Sequence, residues 1–76
     1  MTDLNRQFTF TLTVDDSFRM MAALRAMAIE HLKASAMEMD RPGGSSGRAD
    51  ALADEGHRLN ELAERLHQSR EEALNA

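Results

Sequence analysis

The chain has 76 residues, a formal charge of −4 and no cysteine. A chain of this length makes one domain at most and hides only about 60% of its unfolded surface, so association would help to complete its core. The negative charge and the shortage of aromatic residues argue against nucleic acid as a partner. The lack of cysteine excludes disulfides and suits the cytoplasm, where we expect the protein. No signal peptide or membrane span is predicted.

Residues 7–14 alternate between polar and apolar side chains, which predicts a β-strand. The apolar face carries Phe8, Phe10, Leu12 and Val14, and the polar face carries Gln7, Thr9, Thr11 and Thr13. A strand must pair its backbone groups, and the sequence offers no second strand for it. We therefore expect this strand to pair with a strand of another chain.

Two long helices follow the predicted strand. Residues 16–38 are rich in Ala, Leu and Met without Gly or Pro, and residues 48–74 repeat a leucine seam every seven residues. Pro42 and three glycines end the first helix, so residues 39–47 form a Gly/Ser loop. The predicted fold is a mainly α protein with β-α-α order, in which an antiparallel helical hairpin follows the strand. Gly56 in the second helix predicts close approach of the first.

The first helix is apolar over a wider arc than one partner helix covers, which indicates a second buried side. We therefore predict an oligomer, a homodimer in the first place, with an interface formed by Phe8, Phe10, Leu12, Val14, Met20, Leu24 and Met27. Arg25 and Arg70 fall within the apolar arcs and need partners or exposure of their charged ends. We expect Arg70 to pair with Asp15 or Asp16, whereas no acid is expected opposite Arg25.

The Gly/Ser loop opens a helix, where free backbone N–H groups attract anions. A phosphate or nucleotide site would combine Arg25, Ser45, Ser46, Gly47 and Arg48. The alternative is a plain flexible connection, because the loop has neither the lysine nor the spacing of a P-loop.

No catalytic residue, metal site or cofactor is predicted. Glu64 and His67, with Glu30, have the spacing of di-iron bundle ligands, but the helical wheel turns them towards water. The serines are explained as cap, loop and helix residues, and no residue is distinguished as a nucleophile. An enzyme is therefore not expected.

The order of one strand and two helices resembles the ribbon-helix-helix repressors, whose dimers insert paired strands into the DNA major groove. This resemblance implies base reading by Gln7, Thr9, Thr11 and Thr13. Our leading hypothesis is a non-enzymatic oligomeric interaction protein, such as a bacterial or phage regulator, that binds or inhibits another macromolecule. The alternatives are a protein that sequesters a nucleotide or small anionic ligand and a DNA-binding regulator of the ribbon type.

Overall fold

A computed structural model describes residues 3–76 of the chain, which form an antiparallel helical hairpin. Helix α1 spans Val14–Asp40 and helix α2 spans Ser46–Leu74. Both predicted helices are confirmed, and each begins two residues earlier than expected. Neither helix is long and apolar enough to cross a lipid bilayer.

Side chains just ahead of each helix explain these early starts. The Thr13 hydroxyl accepts the Asp16 N–H at 3.1 Å, and the Ser45 hydroxyl accepts the Arg48 N–H at 3.3 Å. Each hydroxyl thus satisfies a backbone donor that has no partner within its helix. Asp15 and Asp16 follow in the first turn of α1, where their charge suits the positive end of the helix.

The two helices meet along a seam of small residues. On α2, Ala49, Gly56 and Ala63 recur every seven residues and are buried, and on α1 Ala28 is fully buried opposite them. The Ser35 hydroxyl donates to the Ala49 carbonyl oxygen across the seam at 2.6 Å. Leu59 is also buried, but no large side chain of the described residues is completely buried. The hairpin is therefore held by close backbone approach more than by interlocking large side chains.

Gly56 marks the point of closest approach, as the sequence predicts. A Cβ atom built at this position would lie 2.9 Å from Leu32 Cγ and 3.2 Å from the Ala28 carbonyl oxygen. Both distances are shorter than ordinary contacts, so a side chain here would push the helices apart. The absence of a side chain at Gly56 sets the spacing of the hairpin.

The connection between the helices is an ordered turn. Gly43 has a φ of +75°, a backbone conformation that glycine adopts without strain. A Cβ on Gly44 would collide with the Glu38 carbonyl oxygen, and the Gly44 N–H donates to the Arg41 carbonyl oxygen at 2.9 Å. The glycines therefore serve the shape of the turn.

The predicted N-terminal β-strand is wrong. No β-strand occurs in residues 3–76: residues 6–13 have no regular secondary structure, Thr13 caps α1 and Val14 is its first residue. An alternating pattern indicates only that successive side chains would lie on opposite faces of a strand. A β-strand also needs a neighbouring strand that pairs with its N–H and C=O groups. The predicted pairing of strands between chains, and the predicted strand ribbon that reads DNA bases, both require this strand and lose their basis without it.

Candidate functional site

The loop predicted to bind an anion is occupied by a carboxylate of the protein itself. Glu38 accepts the Ser45 N–H at 3.1 Å and an Arg41 guanidinium N–H at 2.9 Å, and Arg48 lies 3.8 Å from the same oxygen. Ser46 and Gly47 form the first turn of α2 and are exposed. Glu38 therefore takes the place beside the loop backbone and the arginines that an external anion would need.

This arrangement changes the acidity of Glu38. The backbone N–H of Ser45, followed by the charges of Arg41 and Arg48, lowers the pKa of Glu38 below its ordinary value of 4.5, although burial opposes the shift. The carboxyl group is thus held ionised. It fastens the end of α1 to the start of α2.

Arg25 does not join this cluster. Its guanidinium lies 3.5 Å from the Glu64 carboxylate of α2, with both side chains about half exposed. It precedes Glu38 by thirteen residues on α1, about 20 Å along the helix axis. The expectation that no acid lies opposite Arg25 is therefore wrong, and the two arginines of the predicted anion site lie apart.

Arg70 is buried without a carboxylate among the residues that the structure describes. Only 6% of the residue is exposed, its Nε has no hydrogen-bond partner within residues 3–76, and its guanidinium carbon lies 3.9 Å from the centre of the Phe18 ring. Its remaining contacts are with His67 Nδ1 at 2.9 Å and Met21 Sδ at 3.7 Å. The expected pairing with the acids at the start of α1 is wrong.

Those two acids pair locally instead. Asp15 and Asp16 both contact Arg19, which lies one turn further along α1. A partner within the same helix turn costs less chain ordering than one across the hairpin. Arg70 is left to stack on an aromatic ring, a contact that favours a cation over the ring face.

Metal-binding clusters are absent from residues 3–76: no three His, Asp or Glu side chains come close enough to share an ion. Glu64 faces Arg25, whereas His67 contacts Arg70. The Glu-x-x-His spacing is therefore used for contacts across and along the hairpin.

One side of the hairpin is apolar on both helices. We call it the apolar groove and define it by Met20, Met27 and Ala34 of α1 and Leu62, Leu66 and Ala73 of α2. Ala28 and Ala63 face each other's helix, so at 100° per residue Met27 and Leu62 lie on one flank, and Ile29 and Glu64 on the other. The Arg25–Glu64 ion pair marks that other flank on both helices.

Three surface cavities open along the apolar groove. A cavity of about 110 Å³ lies at the open end of the hairpin and is bordered by Leu12, Leu66 and Ala73. One of about 330 Å³ lies near the turn and includes Ala34 and Leu52. A third, of about 620 Å³, lies between Leu62 and the N-terminal segment that carries Phe8 and Phe10. The N-terminal segment from Leu4 to Phe10 thus forms an outer wall of the groove.

The predicted interface residues gather around this surface. Met20, Met27, Phe8, Phe10 and Val14 are exposed, while Leu12 and Leu24 are half-buried. The sequence placed Leu62 in the seam with α1, but this leucine is 45% exposed and lies on the groove side. The sign that could have identified it is its position next to Ala63, which places it 100° away from the centre of a small-residue seam.

Comparison with protein-family models, with curated proteins and with solved structures finds no match for this chain.

Proposed function

We propose that this chain is a non-enzymatic interaction protein of the cytoplasm that works as a homodimer and binds or inhibits another protein. The single observation that carries the proposal is the size of the accessible surface that the hairpin leaves uncovered. Its accessible surface is 6297 Å², whereas a folded monomer of 8.5 kDa has about 4,650 Å². The difference of roughly 1,600 Å² is surface that association can remove from water.

The uncovered surface is rich in large apolar side chains. Twelve of them in residues 3–76 are exposed: Leu4, Phe8, Phe10, Val14, Phe18, Met20, Met27, Ile29, Met37, Met39, Leu62 and Leu74. Only four apolar residues in the same range are buried, and three of those are alanines. Single exposed apolar residues are ordinary, but this number against so small a core supports a binding surface.

The polar groups support binding over catalysis. Glu38 and Arg70 are the buried charged residues of the described chain, and the contacts of each are with groups that hold the two helices together. A catalytic site needs polar groups that converge on a pocket open to substrate. The cavities at the open end and beside the N-terminal segment are bordered by apolar side chains together with arginines, Arg70 in the first and Arg6 and Arg65 in the second, and no acidic side chain borders either of them.

Light scattering after gel filtration tests the association. We expect a mass of two chains, twice 8.5 kDa, at concentrations of about 10 µM and above, since apolar interfaces of this size reach micromolar affinity or better. A mass of one chain at every concentration up to about 500 µM would contradict the proposal.

A further inference from the structure

We infer that the occupant of the apolar groove is the same groove of a second copy, so that two hairpins form an antiparallel four-helix arrangement. This inference rests on the proposed function and specifies the surface that it uses. The opposite flank, which carries Phe18, Ala22, Ile29 and Ala36 on α1, is then left free for other contacts.

Charge distinguishes the two flanks. The residues of α1 that lie on the groove side are Met20, Leu24, Met27, His31 and Ala34, and those of α2 are Leu59, Leu62, Leu66, Ser69 and Ala73; none of them is Asp, Glu, Lys or Arg. The opposite flank carries the Arg25–Glu64 ion pair across the hairpin. Burying a charge without new partners is costly, so a water-excluding interface forms more favourably on the groove.

The α2 residues beside the two flanks also differ in polarity, and the groove side is again the more apolar. Beside the groove α2 presents Leu59, Leu62 and Leu66, whereas beside Ile29 it presents His57, Asn60 and Glu64. An apolar surface that continues across both helices can be covered by one partner surface. On the opposite flank the apolar row belongs to α1 alone.

A second copy suits the groove because its central side chains, Met20, Met27, Leu62 and Leu66, are apolar, whereas the charged side chains, such as Glu38, Arg41 and Arg65, lie at the borders of its cavities. Closed twofold symmetry pairs such a surface with itself, and packing two hairpins face to face is the ordinary route to a four-helix bundle. A standard interface covers about 800 Å² on each partner, which is well within the surface excess of the single hairpin. The exposed Phe8 and Phe10 on the outer wall can extend the contact.

Two glutamate substitutions two residues apart provide the test. Met27 is 49% exposed in the groove and Ile29 is 52% exposed on the opposite flank, so both positions tolerate a charged side chain in the single hairpin. Met27→Glu and Ile29→Glu add the same charge to the same helix. Sedimentation equilibrium of the two variants and the parent chain gives the dimer Kd, and circular dichroism gives their helix content.

We expect Met27→Glu to raise the dimer Kd by at least about 100-fold, because twofold symmetry buries two unpaired charges, and Ile29→Glu to change it less than about 5-fold. Leu62→Glu on α2 should repeat the effect of Met27→Glu. If Ile29→Glu raised the dimer Kd more than Met27→Glu, or by the same factor, the groove would not be the interface. The dimer and the proposed function would still hold in that case. A parent chain that is monomeric throughout would overturn both. A stable dimer with all three substitutions would also reject the groove.

Discussion

Replacing Gly56 by alanine sets two opposing effects against each other. Alanine favours a helix by roughly 1 kcal/mol over glycine. The new Cβ would lie 2.9 Å from Leu32 Cγ, 3.1 Å from Leu32 Cδ2 and 3.2 Å from the Ala28 carbonyl oxygen. A branch atom and a backbone atom cannot move aside as easily as the end of a flexible side chain, so we assign an overpacking cost of about 2 kcal/mol. The net expectation is a loss of about 1 kcal/mol, which lowers the Tm by about 4–8 °C.

Gly47 provides the matched control on the same helix. A Cβ there meets only the Ser45 hydroxyl oxygen, at an ordinary 3.7 Å. Gly47→Ala should therefore gain up to about 1 kcal/mol from helix propensity and the smaller freedom of the unfolded chain. Thermal unfolding followed by circular dichroism, at one fixed protein concentration, measures both variants. If Gly56→Ala stabilises as much as Gly47→Ala, the close approach of the helices is refuted.

Three further predictions concern the turn, the buried arginine and the N-terminal segment. The lowered pKa of Glu38 means that its carboxylate stabilises the hairpin above pH 4.5 and loses that effect as the pH falls through the folded-state pKa. Glu38→Gln should thus lower the Tm at pH 7, with the gap closing in acid, whereas exposed Glu30→Gln should show little gap at any pH. Arg70→Met keeps a long side chain against Phe18 and removes a buried charge, so the Tm of this variant should stay within about 4 °C of the parent or rise. Arg70→Ala removes the packing as well, and its free energy of unfolding should fall by about 2 kcal/mol. Equal losses of stability in the two variants would contradict this prediction. The backbone amides of residues 8–13 have no hydrogen-bond acceptor among residues 3–76, so they should exchange with solvent at nearly unfolded rates. Strong protection of these amides in NMR hydrogen exchange would contradict this prediction.

The helical hairpin was predictable because its signals are local. Helix-forming residues without Gly or Pro, followed by Pro42 and a cluster of glycines, determine where α1 and α2 lie. Gly56 likewise indicated the close contact. The N-terminal strand failed because alternation is a local signal too, whereas pairing depends on a neighbouring strand that residues 3–13 do not have.

The buried faces of the helices were harder to predict. The leucine seam of the sequence places Leu62 against the partner helix, yet Leu62 is about half exposed, as are the large residues Phe18 and Ile29 of α1. Where backbones approach closely, alanine and glycine occupy the centre of the contact and larger side chains are displaced to the flanks. The spacing of small residues is thus the better guide to the seam of this hairpin.

The partners of Arg25 and Arg70 depend on distances across the hairpin that no sequence pattern supplies, whereas Arg19 pairs with Asp15 at the i, i+4 spacing visible in the sequence. Asp15 and Asp16 have a nearer partner in Arg19, and Glu64 projects far enough from α2 to reach Arg25. Glu38 was read only as the end of a helix, although a carboxylate seven residues before a helix cap can return across a tight turn to the free N–H groups. The contacts of Glu38 follow from the geometry of the turn, to which Gly43 and Gly44 contribute.

In the proposed dimer, a second copy of the chain covers the apolar groove. The most direct test of this arrangement mixes isotope-labelled and unlabelled chains and records the nuclear Overhauser effects that cross between them. We expect intermolecular contacts from the methyl groups of Met20 and Met27 to the leucine methyl groups of the partner chain, and none from Ile29. Intermolecular contacts from Ile29 alone, or from no methyl group at all, would contradict the account.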